Sequence, residues 1–206
     1  MQKAAALFLI LFFGISILLF AQDDSDPETE PDWEDIFSSD LYTRGDQTLA
    51  IGLGVGFPIA LIRNGEVVVK NNIVPPIGGT GFINYNYYIN SHFFTGVEVG
   101  LLFLPTLGKN TVFITSFGIK AGTQLITGRF EFPFSLSLGG TIQTYRDSAY
   151  FGYYMKGGVG AYFRITPEWS FGLTSNFSWF PQWTSDPDKN IDGLFVDISI
   201  VGRYHF

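Results

Sequence analysis

Five charged residues interrupt otherwise small or polar alternate positions of apolar segments: Glu98, Lys120, Lys156, Asp197 and Arg203. Two acids and three bases that share one enclosed face have two uses. They can pair into a salt-bridged plug, since a charge withdrawn from water needs a partner, or they can line a gated polar path. Acid–base catalysis has little to draw on. The only histidines are His92 and His205, both at segment ends, and Ser91 beside His92 falls in a tight turn, whereas a general base must first be in reach of its proton. Two distant histidines and no cysteine make no metal-ligand set. No enzyme activity, metal or cofactor is therefore expected. The absence of cysteine also excludes a disulfide scaffold or a lipid-modified cysteine, and no basic patch suggests nucleic acid.

These charges sit on segments whose period is two. From Gln47, Leu49, Ile51, Leu53, Val55, Phe57 and Ile59 alternate with Thr48, Ala50, Gly52, Gly54 and Gly56. Successive strand side chains point to opposite faces, so one face is bulky and apolar and the other tiny. The same alternation recurs over 77–90, 92–104, 111–127, 129–144, 149–164, 168–180 and 193–206. The sequence predicts an all-β fold, an eight-stranded antiparallel up-and-down transmembrane β-barrel over residues 47–206. Its connections alternate between tight turns (Asn90-Ser91, Thr127–Arg129, Ile165–Pro167) and mostly longer segments (63–76, 105–110, 145–148, 181–192), as in bacterial barrels with short periplasmic turns.

A soluble ligand-binding barrel would show the reverse chemistry, apolar inside and charged outside. Here 46% of residues are hydrophobic and 17% aromatic, but only 15% are charged, against about 25% in an ordinary soluble domain. The polar faces mix Gly, Ser, Thr and Asn with the few charges, which suits a narrow eight-stranded interior filled by side chains. Aromatics gather toward the ends of the bulky faces: Tyr85, Tyr87, Phe93, Phe132, Phe163, Trp169, Tyr204 and Phe206 at one, Phe57, Phe103, Phe113, Phe151, Tyr153 and Trp179 at the other. Two such belts around an aliphatic band mark membrane barrels. If Gly108–Asn110 forms a turn, Glu98 and Lys120 fall directly opposite one another.

Lys3 precedes an apolar run closed by Ala21, which reads as a secretory signal peptide over residues 1–21. Residues 22–46 carry ten acids against Arg44 alone, so the net charge of −7 resides in this stretch and the remainder is near neutral. It reads as a largely disordered acidic leader.

The chain ends Ile198-Ser199-Ile200-Val201-Gly202-Arg203-Tyr204-His205-Phe206. This resembles the C-terminal signature of bacterial outer-membrane barrels, with Ile198, Ile200, Tyr204 and Phe206 at the positions that the assembly machinery reads. Residues 47–206 are similar to small barrels of the OmpW, OmpX and OmpA types, and Gly81–Phe103 is similar to the second and third strands of OmpW-like barrels. The resemblance implies a bacterial outer-membrane location, with the leader in the periplasm and outer-membrane lipid and the assembly machinery as partners. An OmpW-like barrel would bind or pass small hydrophobic molecules. The apolar exceptions on the inward faces, Phe82, Leu102, Leu104, Phe180 and Phe195, would form a chamber for such a ligand above the charges. The alternative is a non-transporting structural or surface-interaction barrel with a plugged lumen.

Overall fold

The computed structural model describes residues 42–63, 66–67, 77–105, 111–145, 148–182 and 190–206. The signal-peptide reading and all but the last five residues of the acidic stretch lie outside the described residues.

The strands are β1 (Gln47–Arg63), β2 (Glu66–Val67), β3 (Gly78–Tyr88), β4 (Phe93–Pro105), β5 (Thr111–Thr127), β6 (Phe130–Tyr145), β7 (Ser148–Arg164), β8 (Trp169–Gln182) and β9 (Ile191–His205). β1 pairs antiparallel with β3, each strand from β3 to β8 pairs antiparallel with the next, and β1 pairs with β9 from Thr48↔His205 to Arg63↔Ile191. That seam closes the sheet on itself. The two-residue β2 only folds back on the tip of β1, pairing Val67 with Ile62. The barrel proper is β1 and β3 to β9, the eight strands that the alternation predicts.

Local chemistry makes the tight turns. Between β3 and β4, Asn90 Oδ1 accepts from the backbone N–H groups of His92 and Phe93 at 2.9 and 2.8 Å, so a side chain stands in for the backbone acceptor of a turn. Between β5 and β6, Gly128 adopts φ 56°, a left-handed conformation that costs glycine little. Between β7 and β8, Thr166 Oγ1 accepts from Trp169 N at 3.1 Å.

The two faces separate as the residue types require. Leu53, Ile119 and Ile200 are 70%, 67% and 68% exposed, and they belong to a continuous outward set of Leu, Ile, Val and Phe that only hydrocarbon would cover favourably. Inward, Thr48, Gln124, Glu131, Thr141 and Ser170 are fully buried. Glycine is what lets large side chains cross so narrow a lumen. The Phe82 ring lies directly over Gly52, where any Cβ would collide with it.

Candidate functional site: the lumen

Turn chemistry and strand register stack the inward side chains into four layers. The outermost, toward the end with the longer connections, is apolar. Leu102 and Leu104 from β4 and Phe180 and Phe195 from β8 and β9 pack together there, joined by Ile114 and Tyr154. Four of the five expected chamber residues thus meet. Phe82 borders the same gap but packs with Ala50, Tyr162 and Val201, one apolar layer further down. The reason is its place on β3 opposite Gly52 and Gly100, where the glycine leaves room for the ring.

Between these apolar layers lies a charged one. Glu98 forms an ion pair with Lys156 and accepts from the Tyr154 hydroxyl at 3.3 Å. Asn84 bridges to the second cation: its amide nitrogen donates to Glu98 Oε2 at 3.1 Å and its oxygen accepts from Lys120 Nζ at 3.0 Å. Asp197 lies across the same layer and accepts from Asn176 Nδ2 at 2.7 Å. The register corrects the expected facing of Glu98 and Lys120: Glu98 pairs with Gly118, and Lys120 with Gly96. Strand pairing runs on to Pro105↔Thr111, which centres the connection one residue earlier than a Gly108–Asn110 turn would. Lys120 reaches the cluster through Asn84 instead.

Arg203, expected in that cluster, belongs to a second charged layer at the end carrying the tight turns. There Glu131, from β6, accepts from Arg164 Nε at 2.9 Å and forms an ion pair with Arg203. Arg203 Nε also donates to Ser170 Oγ at 3.0 Å, and its guanidinium covers the Tyr162 ring at 4.1 Å. His205 is held from both sides, with Nδ1 3.0 Å from Arg164 Nη2 and Nε2 2.9 Å from Ser170 Oγ. Arg164 is donor-only, so Nδ1 accepts and Nε2 carries the proton. A carboxylate that is 1% exposed between two guanidiniums is tolerable only with its partners in place.

Tyr42, from the stretch read as leader, completes this layer. It is 3% exposed, its ring stacks on Tyr88 at 3.9 Å, and its hydroxyl donates to Glu131 Oε2 at 2.7 Å. Burial pushes its phenol well above the ordinary tyrosine value, against the pull of Arg203.

Little space remains between layers. The gaps above and below the Glu98 layer are about 30 and 20 Å³, room for a water or two. Outside the barrel, Ile198, Ile200, Tyr204 and Phe206 all face outward and are exposed. Tyr204 packs on Trp169 and Phe206, with centroids 5.0 and 5.8 Å apart. His92 stays in its exposed turn, with Nδ1 2.8 Å from Ser91 Oγ. Among the described residues no three potential metal ligands gather.

Glu131 and Arg164 also lie at alternate positions that face inward, but what joins them to Arg203 is contact across the lumen between strands distant in sequence, which the spacing does not carry. Ile114 and Tyr154 also lie at inward alternate positions. Tyr42 stood outside the periodic segments and had no signal of its own.

A closed antiparallel barrel of eight strands, apolar outside and packed with polar side chains inside, is the architecture of the small outer-membrane β-barrels. The chain belongs to a family whose model spans residues 25–204, acidic stretch and barrel together. It is 29% identical over 170 residues to an uncharacterized protein of Treponema pallidum (strain Nichols), covering 79% of this chain and 78% of that protein. In fold it is similar to Neisserial surface protein A (NspA), with a TM-score of 0.56 at 12% identity, over 79% of this chain and 97% of that one. The outer membrane protein OprG of Pseudomonas aeruginosa superposes with a TM-score of 0.48 at 11% identity, over 80% of this chain and 97% of that one.

Proposed function

We propose that this protein is a structural or surface-interaction barrel of the bacterial outer membrane whose lumen passes no solute. The supporting observation is the alternation of two apolar and two ion-paired layers across a lumen whose inner gaps hold about 30 and 20 Å³. An ion would have to break buried pairs that are costly to break and then squeeze past two layers packed with leucine, isoleucine and aromatic side chains. In this reading the end with the tight turns and the acidic stretch faces the periplasm. Lipid covers the outer face, and the assembly machinery reads Ile198, Ile200, Tyr204 and Phe206.

The test is conductance in a planar bilayer with purified protein, together with titration of an apolar fluorescent probe. The proposal expects bare-bilayer conductance and no saturable probe binding; discrete single-channel steps would overturn it. One observation favours a second reading. The apolar layer of Leu102, Leu104, Phe180 and Phe195 lies at the barrel end with the longer connections, and barrel mouths commonly hold apolar ligands. Saturable probe binding that Leu102→Asn and Phe195→Asn weaken without unfolding the barrel would establish that reading instead.

A further inference from the structure

The seam between β1 and β9 is where the barrel closes, and its last rung is unusual in being gripped from both faces. The rung itself is a reciprocal backbone pair: Gln47 N donates to Phe206 O at 2.9 Å, and Phe206 N to Gln47 O at 3.0 Å. On the outer face the Phe206 ring lies 6.3 Å from that of Tyr85 and 5.8 Å from that of Tyr204, so the aromatics of β3 and β9 meet across the end of β1. On the inner face the Tyr42 ring packs against that of His205, with centroids 5.6 Å apart, while its hydroxyl proton goes to Glu131.

Tyr42 reaches that position because the chain folds back before β1. Thr43 N donates to Asp46 Oδ2 at 2.7 Å and Asp46 N to Thr43 O at 3.3 Å, closing a short turn. Gly45 takes φ 108°, a conformation that residues with a Cβ avoid. Gly45 N then donates to Tyr88 O at 3.0 Å, and Asp46 O accepts from Tyr88 N at 2.9 Å, which ties the turn to β3. Five residues outside the strand pattern therefore aim one aromatic into the lumen.

We infer that Tyr42–Asp46 is a latch that locks the closed seam. Tyr42 docks only on a socket with walls from four strands: Tyr88 of β3, Glu131 of β6, Arg164 of β7 and His205 of β9. The His205 wall exists only once β9 has met β1. The latch engages after closure and then opposes reopening, because separating the strands at this end must first withdraw a buried phenol from a carboxylate.

The experiment is strand-resolved amide hydrogen exchange on the full mature protein folded in phosphatidylcholine vesicles, comparing Tyr42→Phe and Gly45→Val with the parent. Tyr42→Phe removes only the hydroxyl. Gly45→Val leaves the lumen untouched, because a Cβ at position 45 meets nothing within 4 Å, but it strains the turn that aims Tyr42. Both variants should exchange about tenfold faster at the seam, in residues 47–52 and 200–205, since a buried hydrogen bond to a charged group contributes at least that factor. The β4–β5 pairing around Leu102 and Ile114, at the other end of the lumen, should be unchanged. Unchanged seam exchange in both variants overturns the latch. So does equal acceleration around Leu102 and Ile114, which would make the effect a general loosening of the barrel rather than release of its seam.

Discussion

Replacing Glu131 with Gln removes the negative charge that pairs with both Arg164 and Arg203 and leaves two buried guanidiniums without it. Oε1 takes Arg164 Nε at 2.9 Å, while Oε2 takes both Arg203 and the Tyr42 hydroxyl, the latter at 2.7 Å. A glutamine in the same rotamer keeps the first acceptor but turns its amide nitrogen toward two donors. Breaking a buried pair by removing one partner costs about 3–5 kcal/mol, and that is the expected loss of unfolding free energy. Glu98→Gln should cost about half as much. It strands mainly Lys156, whose side chain is 11% exposed and can draw on water. Urea titration of the protein in lipid vesicles, followed by tryptophan emission, measures both. Arg203→Met added to Glu131→Gln should recover part of the loss, because it removes one of the two uncompensated cations. This non-additivity is the mark of groups in one network. A cost below about 1 kcal/mol for Glu131→Gln, the worth of an exposed pair, would refute the view that this layer holds the barrel end together.

Two further outcomes follow from the faces and the chain end. Val97 is 54% exposed and Glu98 2%, so Val97→Arg should destabilise the barrel by about 2–4 kcal/mol if it lies near the membrane midplane. A fluorophore on a cysteine at 97 should be quenched by brominated lipid and one at 98 spared; the opposite pattern would invert the faces. Deleting Phe206 removes the backbone rung with Gln47 and the aromatic contacts to Tyr85 and Tyr204, and with them the proposed assembly signal. Cell fractionation should find the truncated chain in the periplasm or degraded, and normal outer-membrane levels would rule the signal out.

Alternation alone determined the strand count, the two faces and the tight turns, because in a membrane barrel each strand carries both environments in its own period of two. Leu53 and Ile200 outward, Thr48 and Ser199 inward, needed no partner to be assigned. What alternation cannot sense is a slip of two residues, which leaves every side chain on its face while changing what it meets. That is why Glu98 and Lys120 were placed opposite one another, while the structure pairs them with Gly118 and Gly96. Arg203 lies well beyond Asp197 on the same strand and so enters a different layer, where Glu131, 72 positions away in the chain, meets it across the lumen. Contacts across a lumen join walls distant in sequence, so only the closed register decides which charges share a layer. Tyr42 is the extreme case. Nothing periodic marks it, and its partner His205 lies 163 positions further along, brought within reach only when the last strand closes on the first.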